Sequence, residues 1–427
     1  MKNKSELTIC VYDLRGGSYL NVAMLLYPYF RETYYYSESR DAFPQLALAS
    51  IGTGFDEDFT RVTDFWKELS NFDIIIFPDG NCADLGQHLR SMGKMVFGGS
   101  NMENIESSRS QFNELLDRVG LPVPKSIVVK GLKNLIKYIK GKKQKYIKVS
   151  KWRNLIETYF WVDYTSSKFW LDELTHKLGP LSESDQLEFI IQDPIDAIAE
   201  LGSDGYTLNG QTPETLIWGL ECKDVGYIGK ISQKTEIPEP ISYVNDKFRP
   251  ILKAFGANGF YSTEIRYTEN KTPYYTDIAA RAGMPPSSSY LKNINNWNEI
   301  IPGICKGVWV EPTYDSIYMI EIILKSNYCK EGYLPVTFPN EFKDNITFKG
   351  AMKAADKIFI IPFSFANIDM VEFGSVVVNG DNLEQIIAQA MEICASIQAY
   401  ELRYEISAPD LIKEDIFRLE TALNLKF

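Results

Sequence analysis

The sequence predicts a multidomain protein of mixed α/β and α+β class, on three observations. Apolar β-rich runs alternate with helix-like stretches over the first hundred residues, β-rich segments follow one another through the middle, and an amphipathic helix follows two further β segments near the end. The 427 residues suffice for two or three cores, and 45% hydrophobic with 24% charged residues excludes disordered and collagen-like classes.

Taken in order, LTICVY (7–12), DIIIFP (73–78) and KMVFG (94–98) read as strands, with TRVTDFWKELS and ADLGQHLRSM helix-like before the second and third. That alternation predicts an amino-terminal, doubly wound parallel sheet. The turn Gly16-Gly17-Ser18 after the first strand suits either an anion seat at the next helix or a bare turn. SSRSQFNELLDRVGLPVP, from Ser107, reads as a capped helix ended by Gly120 and a proline turn. It leads to strand SIVVK, a helix, and strand YIKVS. EFIIQ (188–192), DGYTLNG, TLIWGLECKD and the hairpin GFYSTEIRYTENKTPYYTDIAARAG (259–283) make the middle antiparallel or mixed. IYMIEIIL, KIFIIPF, GSVVVNG and the helix NLEQIIAQAMEICASIQAYEL complete the chain. There is no internal repeat, and the expected division is 1–100, 101–300 and 301–427.

A net charge of −11 argues against bulk nucleic-acid or membrane-surface binding. Six cysteines without CxxC spacing and only two histidines argue against zinc sites and a disulfide framework. With no signal-like apolar stretch after Met1 and no run of 18 apolar residues, the expectation is a cytoplasmic protein.

The hairpin carries the chemistry. If the chain reverses at Asn270-Lys271, Glu264 sits opposite Asp277, with Cβ atoms roughly 4.5–5.5 Å apart. Ala279 and Arg281 then share the face of Asp277. Two such carboxylates suit Mg²⁺ held jointly with phosphate oxygens; the same spacing suits a solvated face balanced by Arg266 and Arg281. Lys148, in the β-forming YIKVS, reads either as a phosphate contact or as a solvated strand lysine. SKWRNLIET adds Arg153 and Thr158 in a cationic flap. EFIIQDP ends in Gln192 and Asp193, polar groups for an adenine edge or ribose, with backbone near Ile191 as a hinge; strand ends also carry such residues for purely structural reasons. Glu200, Asp204, Glu221 and Lys223 are ambiguous singly.

The order of these pieces resembles the ATP-grasp superfamily and, within it, proteins similar to phosphoribosylamine–glycine ligase. The resemblance rests on NFDIIIFPDG…LRSMGKMVFGGS, ESSRSQFNELLDRVGLPVPKS, YIKVS and STEIRYT…YYTDIAARAG. VEFGSVVVNGDNLEQIIAQAMEICASIQ is similar to the carboxy-terminal domain of that ligase family. The resemblance implies an ATP-grasp fold between an amino-terminal parallel-sheet domain and a small carboxy-terminal α+β domain. It also implies ATP and Mg²⁺ as cofactors and small-molecule carboxylate and amine substrates. A carboxylate would attack the γ-phosphorus of ATP, giving an acyl phosphate and ADP, and an amine would displace phosphate. By the resemblance, Lys148 meets nucleotide phosphates, Ile191 and Gln192 form the adenine hinge, Glu264 and Asp277 are the metal ligands, and Arg281 steadies the transferred phosphoryl; beside these, Ser150 is expected to bind ATP, Asp193 to meet the adenine edge or ribose, and Arg153 and Thr158 to do with side chains what the backbone amides of a glycine-rich loop do elsewhere. Two departures stand out: Asp277-Ile-Ala279-Ala-Arg281 replaces the usual Glu-x-Asn-x-Arg, and SKWRNLIETYF has no glycine where the family has a glycine-rich loop. These departures keep open a nucleotide-binding scaffold without turnover, and the resemblance to the fold also leaves a kinase acting on a hydroxyl as a further expectation.

Overall fold

The computed structural model describes residues 4–14, 16–37, 50–149, 158–178, 184–222, 225–355, 357–362 and 370–427. Strands β1 (Ser5–Asp13), β2 (Phe30–Ser37), β3 (Thr60–Val62), β4 (Ile74–Ile76) and β5 (Met95–Phe97) form a parallel sheet in the order β3-β2-β1-β4-β5. The unbroken apolar run of β4 follows from burial of a parallel sheet on both faces. Two sequence expectations need correction here. TRVTDFWKELS opens as the edge strand β3, and its helix spans only Phe65–Glu68, capped by Asp64 accepting from the Lys67 amide. FRETYYYS, which had no assignment, is β2. Its two charged residues hide the strand signal, whereas the fully buried Tyr35 donates to Asp13 at 2.8 Å.

The Gly16-Gly17 turn also resolves. Gly17 has φ +94, its carbonyl accepts from the Gly350 amide at 2.9 Å, and a Cβ there would lie 2.7 Å from Gly350 Cα. Asp13 already accepts from the Tyr19 amide at 2.8 Å, so the turn is a packing turn.

Helices Glu103–Ser107 and Arg109–Arg118 lead into a smaller antiparallel sheet, β6 (Ser126–Lys130), β7 (Lys145–Val149), β8 (Thr158–Trp161) and β9 (Glu188–Gln192), in the order β6-β9-β7-β8. Helices Leu132–Ile139 and Tyr164–Leu178 pack on it around a core of its own that includes Leu135, Ile147, Trp161, Leu171 and Phe189.

The large antiparallel sheet takes β10 (Ala197–Leu208), β11 (Thr215–Cys222), β12 (Gly226–Gln233), β13 (Asn258–Thr268), β14 (Pro273–Ala279) and β15 (Tyr318–Ser326). Beyond β16 (Leu334–Val336) come β17 (Ile346–Phe348), β18 (Ala351–Ala354), β19 (Lys357–Ile360) and β20 (Val371–Gly380). The large sheet runs β14-β13-β10-β11-β12-β15-β20-β17, while β16, β19 and β18 make a separate three-stranded sheet. The large sheet thus continues across residue 300. Helix Leu383–Ser396 packs on β20 and β15, and helix Ala408–Leu423 on β10 and β11. One hydrophobic core joins the parallel sheet to the large sheet, with the Phe97 and Phe260 rings edge to face at 4.9 Å. Among the described residues, no helix is long and apolar enough to cross a membrane.

Candidate functional site

The hairpin β13–β14 pairs Ser262 with Ala279, Thr263 with Ile278 and Glu264 with Asp277, the register read from the sequence. It then shifts by one residue, so that Ile265 faces Tyr275. Thr276 is the extra residue of this bulge, and its hydroxyl donates to Glu264 Oε1 at 2.8 Å. Bulges re-aim side chains in this way, and here the effect is to hold the Glu264 carboxylate. Burial, then the Glu200 and Asp277 carboxylates, push the Glu264 carboxyl upward.

The expected balance of charge holds at Glu264, whose Oε1 lies 3.8 Å from Arg266 Nε, and is corrected for Asp277 and Arg281 by two helices outside the hairpin. Asp277 is gripped by Arg109, Nη1 to Oδ1 at 3.1 Å and Nη2 to Oδ2 at 3.3 Å. Arg281 donates instead to Glu106 through Nε at 3.0 Å and to the Ala282 carbonyl at 3.2 Å. Neither Arg109 nor Glu106 was singled out by the sequence reading. One signal was available. Arg109 is the first residue of its helix, where the peptide dipole disfavours a cation, so an arginine there implies a carboxylate brought from elsewhere.

The smaller sheet supplies the opposite wall. Lys148 lies on β7 opposite Thr158 on β8, which is exposed. Lys148 is half-buried and, among the described residues, its ammonium has neither a hydrogen bond nor an ion pair. Desolvation first, and Arg109 next, lower its pKa to about 8, against the pull of Asp277 and Glu264. Lys148, Gln192 and Arg109 line one crevice with Tyr275 and Thr276 of β14, so the two sheets meet here. Ile191 has a strand neighbour on each side, Ile127 and Ile147, and its peptide groups face the ladder rather than an open edge. Gln192 is 6% exposed, and Asp193 is held by Lys145 at 2.5 Å. The Asp193 amide donates to the Lys125 carbonyl at 2.9 Å. Ser150 and Arg153 lie outside the described residues.

Beside Glu264 a cavity of about 160 Å³ opens on the face of the large sheet. Gly202 and Gly219, opposite each other on β10 and β11, leave its floor open. A Cβ on Gly202 would lie 1.8 Å from the Thr263 carbonyl oxygen, and one on Gly219 would lie 2.6 Å from the Tyr227 hydroxyl. Asp204 accepts from that hydroxyl at 2.7 Å and is raised to about 6 by burial. Among the described residues, no three acidic, histidine or cysteine groups converge as a metal site.

A four-stranded sheet carrying Lys148, closed over an antiparallel sheet whose hairpin carries Glu264 and Asp277, is the ATP-grasp fold. Solved structures bear this out along nearly the whole chain. The phosphoribosylamine–glycine ligase of Thermotoga maritima matches with a TM-score of 0.70 at 14% identity, over 93% of this chain and 99% of that one. The L-amino acid ligase of Bacillus licheniformis matches at 0.58 and 13%, over 94% and 100%. The biotin carboxylase domain of the Hydrogenobacter thermophilus 2-oxoglutarate carboxylase, solved with MgADP and bicarbonate, matches at 0.61 and 11%, over 97% and 96%. No protein-family profile and no curated protein sequence matches the chain.

Proposed function

We propose that the protein is an ATP-dependent carboxylate–amine ligase that releases ADP and phosphate. The observation that carries this reading is Lys148, an ammonium without a partner among the described residues, whose charged neighbours across the crevice include Glu264 and Asp277. A cation and two carboxylates brought together from separate sheets suit a polyphosphate and its metal. The fold's resemblance to two ligases supports the reaction type.

In this reading a substrate carboxylate oxygen attacks the γ-phosphorus and ADP leaves. The amine nitrogen then attacks the acyl carbon: a C–N bond forms, the C–O bond to phosphate breaks, and the amine gives up a proton. Lys148 and Thr158 hold phosphate oxygens, Gln192 and the chain after it border the base, and Arg281 steadies the transferred group, with Arg153 and Ser150 on the phosphate side. Residues 1–100 and 301–427 flank the nucleotide-binding unit 101–300. Bound Mg²⁺ would supply charge neutralisation at the phosphates, with Glu264 and Asp277 as its protein ligands. Glu264 fits that role through Oε2, since its Oε1 accepts from Thr276 and lies 3.8 Å from Arg266 Nε; Asp277 fits once Arg109 yields at least one of its oxygens. Work of this kind needs position and charge more than a nucleophile.

The test is ADP and phosphate release from ATP and Mg²⁺ across a panel of carboxylates and amines. Dependence on both substrates is the expected outcome, and dependence on an alcohol would make the protein a kinase. Lys148→Met should weaken nucleotide binding about ten- to a hundredfold, the scale of one charge-assisted contact. Its nucleotide-free melting temperature at pH 7 should be no lower than the parent's, because a desolvated ammonium is removed. A parent melt unmoved by millimolar MgATP would overturn the assignment. A second reading, nucleotide binding without turnover, has Ala279 and the occupied Asp277 in its favour; binding without ADP release under every substrate pair would establish it.

A further inference from the structure

Arg109 holds Asp277 unevenly. Oδ1 accepts from the Ile278 amide at 3.0 Å and from Arg109 Nη1 at 3.1 Å, whereas Oδ2, among the described residues, has only the Nη2 contact at 3.3 Å. Nη1 also donates to the Thr276 carbonyl at 3.3 Å, so the guanidinium reaches across the bulge residue itself. The preceding helix grips the chain just beyond β14. Its Glu106 accepts from the Ala280 amide at 2.8 Å and from Arg281 Nε at 3.0 Å. The two helices part at Ser108, which is extended at φ −125 and ψ 92, so Glu106 and Arg109 belong to separate elements. Asp277 lines the cavity on the large sheet, while Arg109 lines the crevice with Lys148 and Gln192. The ion pair therefore links the two.

We infer that Arg109 is a latch on Asp277 that keeps a divalent cation off the hairpin until a polyphosphate enters the crevice, so that metal and nucleotide assemble together. The inference rests on the nucleotide site of the ligase reading and adds the order in which that site fills. With the latch closed, both Asp277 oxygens are taken, and a guanidinium and a divalent cation on one carboxylate repel each other. Glu264 then offers the cation Oε2 alone, because its Oε1 accepts from Thr276. That is too little for Mg²⁺, which gives up water reluctantly and is held by carboxylates together with substrate phosphates. A polyphosphate changes the balance on both sides: it presents oxygens that a guanidinium fork can take in exchange for Asp277, and it brings anionic ligands for the metal. It binds the open state better than the closed one, which is the condition for shifting the equilibrium. Opening demands little of the hairpin. Only the single contact at Oδ2 has to part, Oδ1 keeps its amide donor, and the break at Ser108 lets Arg109 turn away while Glu106 retains Arg281.

The probe is Mn²⁺, its free concentration counted by electron paramagnetic resonance over the full chain at pH 7.5 without nucleotide. Arg109→Met should bind Mn²⁺ about tenfold more tightly than the parent, and Arg109→Met combined with Asp277→Asn should lose that gain. A second readout follows the guanidinium itself. The Arg109 Nε–H resonance, assigned by its disappearance in Arg109→Met, should shift when ADP is added in EDTA and stay in place when Mg²⁺ is added without nucleotide. A cooperative melt shows that each variant is folded; should Arg109→Met fail this, Arg109→Lys, which keeps the charge but not the fork, takes its place with a smaller gain in the same direction. Unchanged Mn²⁺ affinity on removing the fork, a gain that survives Asp277→Asn, or an Arg109 resonance that ADP leaves unmoved each overturns the inference. If MgADP shifts the parent melt while Mn²⁺ affinity does not change in the Arg109 variant, only the latch falls; if MgADP leaves the parent melt unmoved, the ligase reading falls with it.

Discussion

Arg109 opens its helix at the end where the dipole opposes a cation, and its two-pronged contact with Asp277 offsets that cost. The hairpin considered alone gives the opposite electrostatic picture, in which Asp277 repels Glu264 and its neutralisation relieves the protein. With Arg109 in place, Asp277→Asn leaves a guanidinium without its partner. The nucleotide-free, EDTA-treated variant should therefore melt lower than the parent, by about 1–2 kcal/mol for a pair whose side chains are 12% and 36% exposed. Thermal melts decide the sign, and a variant as stable as the parent would return the hairpin to the repulsion picture. Arg109→Gln combined with Asp277→Asn should lose less than the two single losses added together, because the two side chains share one interaction.

At the scale of the element, the pairing of Glu264 with Asp277 agrees with a reversal at Asn270-Lys271, but the pairs next to the turn, Ile265 with Tyr275 and Tyr267 with Pro273, run one residue off that register, and it is regained only beyond the bulge. The bulge at Thr276 was not legible, because it depends on a hydroxyl meeting a carboxylate in three dimensions. The glycines of β10 and β11 were equally silent in the sequence, where they look like weak points in a strand. Gly202→Ala should cost at least about 1–3 kcal/mol, since its Cβ would press on the Thr263 carbonyl of a paired strand and the backbone has to move. Denaturant titration checks this: the midpoint should fall with the slope unchanged, and an unshifted midpoint would show that β10 can flex away from β13.

At the scale of the whole molecule, the small sheet keeps its own core while the parallel and large sheets share one, so the crevice lies between two separately packed bodies. Where the shared core meets the helix Glu103–Ser107, Glu103 is 3% exposed and burial raises it from the ordinary 4.5 to about 8, although its Oε2 accepts from the Cys82 amide at 2.7 Å. Between those two values the unfolded chain has lost the proton that the folded protein keeps. The contribution of Glu103 to stability is therefore full below pH 4.5 and declines as the pH rises to 8, by up to about 1.4 kcal/mol per pH unit for one proton. The nucleotide-free melting temperature should fall from pH 5 to pH 8, and Glu103→Gln, which keeps an acceptor for the Cys82 amide, should flatten the fall. An identical pH profile in the variant would show that Glu103 ionises freely in the folded state.

The sequence alone determined the alternation of elements, the pairing of Glu264 with Asp277 in the hairpin, and the chain order that resembles ATP-grasp proteins. These are local matters, fixed by side-chain period, turn residues and apolar runs within some twenty residues of one another. Only the tertiary structure decided which charges meet. Arg109 and Asp277 are separated by 168 residues, Glu106 and Arg281 by 175, and Gly17 is joined to Gly350 across most of the chain. No periodicity carries such a pairing, because it exists only once separate helices and sheets have packed and two side chains have been carried to the same place.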